Sequence, residues 1–207
     1  MKLINKGDSD LVIWIYTKKP DEKIITKKEE LMMKYFSEKR KEEFINSRSY
    51  LRISLAEIFN LDPLKIPINA KPGQPPKLPN NYGFLSLSHC HDAFLIGWSK
   101  NKIGIDIENK NRKVNLNLIK KYLSSKESKN DLGMTFEEEE LNKRFLEFWV
   151  IKESLIKWQN GNFFIDFNKW KLDREHSIAV HQKHNLKVKT KISDFRNWKI
   201  GLASNLL

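Results

Sequence analysis

Cysteine is almost absent from these 207 residues: there is one, Cys90. No internal disulfide can form, which excludes the disulfide-stapled scaffolds and suits a reducing compartment. Long apolar runs are missing too. The longest near the start, Leu11 to Tyr16, has six residues. That is too short for a signal-peptide core and far too short to span a bilayer, so the expectation is a soluble cytoplasmic protein. A concentrated basic block is also lacking. The net charge is +12, but the lysines are scattered along the chain, singly and in pairs. The charge favours an acidic partner, such as nucleic acid, a phosphorylated small molecule or an acidic protein, without choosing among them.

What remains is an ordered globule. The chain is 40% hydrophobic and 11% aromatic, enough for one domain or two small ones. Leu11 to Tyr16 reads as a buried strand. Thr26-Lys-Lys-Glu29 is a capping box that predicts a helix to about Phe36, and Ser37 caps a second helix over 38 to 60. Six of the seven prolines fall between 61 and 83, a stiff irregular stretch. "FLSLSHC" (84–90) and "AFLIGWS" (93–99) read as a hairpin, with "IGIDIE" (103–108) a third strand. Residues 115 to 132 look helical. Thr135-Phe-Glu-Glu138 is a second capping box, opening a long helix to about Trp158 that Gly161 stops. Beyond 163, segments such as "LKVKTKI" and "WKIGLAS" read as strands. "FLIGWS" and "KIGLAS" echo one another at the ends of the two halves, either by chance or from a duplicated α+β unit.

Two stretches carry chemistry. In "IGIDIE" the side chains alternate: Ile103, Ile105 and Ile107 on one face, Gly104, Asp106 and Glu108 on the other. Two carboxylates about 7 Å apart on one strand face mean either a solvated face or a cation between them. In "FWVIKESLIKW" (148–158) the apolar arc of the helix comprises Leu141, Phe145, Phe148, Trp149, Leu155 and Ile156. Glu153 lies beside it, with Lys157 at i+4; that pair alone is an ordinary helix ion pair worth about 0.3–0.5 kcal/mol. Lys152 falls on the arc itself, so it snorkels or meets an anion. Taken together, strand carboxylates plus a carboxylate and two lysines on a helix suit Mg²⁺-assisted chemistry on a phosphate.

At this point the residues resemble a known family. "GIDIE" (104–108), then "FWVIKESLIK" (148–157), preceded by "GQPPKLPNNYGFLSLSH" (73–89), are similar to the signatures of 4′-phosphopantetheinyl transferases of the two-domain, monomeric Sfp type. The resemblance covers about residues 37 to 165. It implies an α+β fold of two pseudo-symmetric subdomains, 1–100 and 101–207, with the site in the cleft between them. It implies transfer of the phosphopantetheine arm of coenzyme A to a serine of an acyl or peptidyl carrier protein, releasing adenosine 3′,5′-bisphosphate. By resemblance, Asp106, Glu108 and Glu153 would ligate Mg²⁺, and Glu153 would accept the serine proton. Lys157, Lys152 and His89 would bind phosphate. Ser88 and the loop Gly73, Gln74, Pro75 would touch the nucleotide end. Arg48, Arg52 and Lys39 would grip the 3′-phosphate. Gln74 stands where the family most often has Lys, so that phosphate contact would be weakened or taken over by Lys71 or Lys77. Cys90 reads as core.

Two rivals remain from the residues alone. Asp106, Glu108 and Lys110 spell the Asp-x-Glu-x-Lys pattern of a metal-dependent nuclease. A non-catalytic binder of carriers or nucleotides would keep the basic surface without needing the carboxylates.

Overall fold

The computed structural model describes residues 2–6, 10–70, 74–115 and 138–205. Two antiparallel sheets lie face to face, each backed by one long helix. The first sheet has the order β1-β2-β4-β3, from β1 (Lys2–Lys6), β2 (Leu11–Tyr16), β3 (Phe84–Cys90) and β4 (Ala93–Ser99). The second has β5 (Ile103–Asn109) at one edge and the order β5-β9-β8-β7-β6, completed by β6 (Trp170–Leu172), β7 (Ile178–His181), β8 (Lys187–Phe195) and β9 (Trp198–Ser204). This is a mixed α/β architecture of the α+β kind, as the sequence implied. Strand β1 was not legible in the sequence.

The period-2 pattern of the strands builds the middle layer. Leu11, Ile13 and Ile15 of β2 and Leu95 of β4 meet Ile103, Ile105 and Ile107 of β5 and Ile200 and Leu202 of β9. The opposite face of the first sheet, with Val12, Trp14, Ile96 and Trp98, packs on Tyr50, Leu51 and Leu55 of helix α2 (Glu38–Phe59). That helix starts where expected: Ser37 Oγ accepts from Arg40 N, and Asn60 closes it in the left-handed conformation at φ 51°. Helix α1 (Lys27–Met32) has the expected Thr26–Glu29 capping box but ends earlier than Phe36.

Helix α3 (Glu138–Gln159) covers the outer face of the second sheet through Ile151, Leu155 and Trp158, against Ala179, Val188 and Ala203. Its end is set by Asn160, left-handed at φ 57°, with Gly161 N donating to Ile156 O at 2.9 Å. The stop is therefore a Schellman-type turn in which Asn160 takes the left-handed position and Gly161 follows it. The helix expected at 115–132 and the Thr135–Glu138 box lie largely outside the described residues. Among the described residues no helix is long and apolar enough to cross a membrane.

The approach of α3 to the sheet is unusually close. A Cβ at Gly104 would lie 1.9 Å from Ser154 O and 2.5 Å from Trp158 N; one at Gly201 would lie 2.3 Å from Val150 O. Both glycines are therefore needed for the backbones to meet. The face of β5 that carries Gly104 and Asp106 is thus covered by a helix, and the solvated-face reading fails at Asp106, which is 4% exposed. The echo between the halves does not extend to these glycines. Gly97 faces Ile103 and Ile105 across the sheet–sheet layer, whereas Gly201 faces the helix.

Gly104→Ala is expected to destabilise the fold by about 2–4 kcal/mol, since a carbonyl and a backbone nitrogen cannot swing aside as a flexible side chain can. Equilibrium urea unfolding measures this, and a loss below about 0.5 kcal/mol would show that α3 shifts freely.

Candidate functional site

Strands β3 and β5 are the neighbouring edges of the two sheets, and serines stitch them together. Ser86 Oγ accepts from Ile105 N at 3.0 Å, filling an edge position of β5 with a side chain. Two residues on, Ser88 Oγ donates to Asp106 Oδ1 at 2.7 Å. From the last turn of α3, Lys157 Nζ donates to the same Oδ1 at 2.7 Å and to Ser88 Oγ at 2.8 Å. Three distant segments thus converge on one carboxylate oxygen. The other oxygen, Asp106 Oδ2, is buried and has no hydrogen-bond partner. A buried, unpartnered carboxylate oxygen is costly and calls for a donor or a cation.

The two neighbouring carboxylates are held differently. Glu108 pairs with Arg112, whose guanidinium lies 5.7 Å from the centre of the Trp149 ring. Burial raises the affinity of Glu108 for a proton, Arg112 opposes this, and Asp106 adds to it. Glu153, one turn before Lys157, makes no hydrogen bond or ion pair with the described residues. Burial, then the charge of Asp106, pushes its carboxyl up to about 7; Lys157 pulls the other way, Glu108 pushes further, and Arg112 also pulls down. Asp106 and Glu108 thus both lie within electrostatic reach of Glu153. Among the described residues no three His, Cys, Asp or Glu side chains are drawn together tightly enough to form a finished metal centre. Asp106 is instead drawn to Lys157 and Ser88, and Glu108 to Arg112. The donor chemistry nonetheless fits a hard divalent cation, with three carboxylates and one orphaned buried oxygen.

Two clefts flank this cluster. One, of about 840 Å³, lies between the first sheet's end of the molecule and the end of β5; Lys18, Lys19, Lys39, His89, Glu108 and Arg112 stand in its wall. The other, of about 600 Å³, is lined by Gln74, Pro75, Ser86, Lys102, Lys157 and Trp158. An ion-pair cluster with lysines between two open clefts is suited to a long, multiply phosphorylated ligand.

The family model of the 4′-phosphopantetheinyl transferase superfamily matches residues 102–203. This chain belongs to that superfamily. The matched span holds Asp106, Glu108, Glu153 and Lys157 together with the second sheet and α3. No curated protein matches the chain.

Not every residue that the resemblance assigned reaches the Asp106 cluster or its clefts. Lys39 and His89 line the larger cleft, His89 exposed and stacked on Phe94 at 5.5 Å. Gln74 and Pro75 line the smaller one, and Gly73 lies outside the described residues. Arg52 is not available to a phosphate. It is 2% exposed; its Nε and Nη2 bond Glu29, and its Nη1 bonds the carbonyls of Pro63 (3.0 Å) and Ile66 (3.1 Å). Arg48, 5% exposed, is drawn to the same Glu29 at 3.5 Å and lies over Phe44. Arg52 fastens α1 and the proline-rich turn to α2, while Arg48 is drawn to α1 alone, its buried Nε without a hydrogen-bond partner. Lys152 is also taken inside: it is 2% exposed and donates to the carbonyls of Phe167 and Trp170 over the Phe148 and Phe167 rings. Ser88 spends its hydroxyl on Asp106 and Lys157, so it positions the cluster instead of touching a nucleotide. Cys90 is half-buried at the hairpin end, bonded to Asp92, and burial pushes its thiol up to about 11. Lys110 turns away to Asp194 at 3.1 Å, which takes the lysine from the nuclease pattern.

Arg112, Lys18 and Lys19 were missed. Arg112 follows Glu108 at i+4 just past the strand, where no regular period points to a face. The two lysines sit in one of the many scattered pairs.

The raised Glu153 makes the metal-free fold pH-sensitive. Its carboxyl holds a proton more tightly folded than unfolded, so the cost of ionising it is absent below about 4.5 and fully present above about 7. Glu153→Gln is therefore expected to raise unfolding stability at pH 8 by up to about 3 kcal/mol in the presence of a chelator, and to change it little near pH 4.5. An equal effect at both pH values would show that Glu153 is not perturbed.

Proposed function

We propose that this chain is an Sfp-type 4′-phosphopantetheinyl transferase, moving the arm of coenzyme A to a serine of an acyl or peptidyl carrier protein. The observation that carries the proposal is the Asp106 cluster: one buried carboxylate bonded by Lys157 and Ser88, its second oxygen unpartnered, with Glu108 and Glu153 beside it. Coenzyme A supplies both the pyrophosphate and the 3′-phosphate that two lysine-bearing clefts on either side of this cluster would accommodate. With Arg48 and Arg52 taken up inside the fold, Lys39, Lys18 and Lys19, with His89, are the groups left to receive the 3′-phosphate.

Asp106, Glu108 and Glu153 would hold Mg²⁺. That ion, when bound, neutralises pyrophosphate oxygens and makes the attacked phosphorus more electrophilic. The chain's own groups do the rest. The Lys157 ammonium has three N–H donors, two of them spent on Asp106 and Ser88, so one remains for a phosphoryl oxygen. Its tether to Ser88 fixes that donor before substrate arrives, which spares reorganisation as charge develops on the leaving bisphosphate. Glu153 would take the carrier serine proton, directly or through water. The serine oxygen then forms the new phosphoester bond, the bond to the bisphosphate breaks, and adenosine 3′,5′-bisphosphate leaves. The carrier would be acidic, steered by the chain's charge of +12, and the transferase would act as a cytoplasmic monomer.

The nuclease reading loses support with Lys110 paired to Asp194. A pure binder has no use for an unpartnered buried carboxylate oxygen.

The test is mass spectrometry of an apo carrier protein incubated with the chain, coenzyme A and Mg²⁺. A gain of one phosphopantetheine is expected. Asp106→Ala should abolish it, Glu153→Gln should lower turnover by about 10²–10⁴, and Lys110→Ala should leave it nearly unchanged. Near-normal transfer by Glu153→Gln would remove that residue from the chemistry.

A further inference from the structure

Arg112 is built into the wall of the larger cleft on three sides. Its guanidinium pairs with Glu108 and lies over Trp149. Its backbone carbonyl accepts from Asn142 Nδ2 at 2.9 Å, while Asn142 Oδ1 accepts from Val114 N at 2.8 Å. The first turns of α3 thus hold the 112–114 segment in place, and the side chain reaches Glu108 from a fixed base. The side chain is 41% exposed, so nothing in its surroundings forces burial of the ion pair. Arg112 Nη1 and a divalent cation compete for Glu108 Oε1, and they repel one another. Of the three acids, Asp106 already has Lys157 as its counter-charge and Glu153 has none within hydrogen-bond reach. Glu108 is therefore the acid whose release from a cation decides whether the set can close around metal.

We propose that Arg112 is a positioning residue, an internal counter-ion that holds Glu108 in the metal-free protein and yields it to a divalent cation, so that Arg112 sets the metal affinity of the site. The inference rests on the metal reading above. Its consequence is a linkage: whatever draws Arg112 away from Glu108 strengthens metal binding, and metal binding frees a guanidinium at the mouth of the cleft. Trp149, against which the guanidinium lies, reports the exchange.

The experiment is a titration of the full chain with Mn²⁺ alone at pH 8, with free Mn²⁺ counted by electron paramagnetic resonance and tryptophan emission followed in parallel. Arg112→Gln is expected to bind Mn²⁺ about five- to tenfold more tightly than the unaltered chain, because a competing positive charge has gone. Asp106→Ala is expected to lose the binding. Mn²⁺ should change the emission of the unaltered chain, and this change should be absent in Trp149→Phe. If the Gln variant fails to fold by circular dichroism, Arg112→Lys, which keeps the charge but not the fork, is expected to bind at least about twofold more tightly. Binding that Asp106→Ala abolishes but that neither Arg112 variant strengthens overturns this inference and leaves the metal reading standing. No Mn²⁺ binding by the unaltered chain overturns both.

Discussion

Helix α3 rests on β5 and β9 at a distance that only two glycines permit, and the site follows from that contact. Gly104 admits the backbone of Ser154 and Trp158; Gly201, which is the register partner of Asp106, admits Val150. With any side chain there the helix would ride higher, and Lys157 could not hold 2.7 Å to Asp106 Oδ1. The same contact brings Glu153 into the field of Asp106 and Glu108. Close packing here serves to bring acids from a strand and a helix into one low-dielectric space.

That space is electrostatically unsettled. Asp106, Glu108 and Glu153 repel one another, and Lys157 and Arg112 compensate two of the three. The excess appears as a Glu153 that keeps its proton until about pH 7, and as an oxygen of Asp106 with no partner. Two buried cations elsewhere among the described residues are fully met. Lys199 meets both Glu147 at 2.8 Å and Asp194 at 3.1 Å, and Arg52 fills its fork with one carboxylate and a row of carbonyls. The contrast separates charge used for architecture from charge held in readiness.

Much of this was legible in the sequence, for definable reasons. The period-2 run Ile103 to Glu108 told which side chains share a face, because strand periodicity is local. The i, i+4 spacing of Glu153 and Lys157 told that they share a helix face. The caps at Thr26 and Ser37 were readable because the bonds they make span three residues. What covers a strand face was not readable. Gly104 and Gly201 are 97 positions apart, and their shared task exists only once β5 and β9 pair. The fate of Arg48 and Arg52 was hidden likewise, since it depends on Glu29, a residue that already had a local role in a capping box. Two uses of one carboxylate are invisible when each segment is read alone.

Lys152 and Lys157 show what fold position adds to residue type. Five residues along an α-helix is a rotation of about 140°, so the two ammonium groups leave α3 on nearly opposite sides. Glu153 and Lys157 differ by about 40°, so they face the same way. The resemblance assigned both lysines to phosphate, but the helix can present only one of them to β5. Lys152 instead ends among carbonyls at the close of the segment after α3, where its charge holds the residue 163–170 stretch to the helix. A lysine inside an apolar arc was expected to find an anion or water; it finds backbone oxygens and aromatic faces, which satisfy an ammonium group equally well without either.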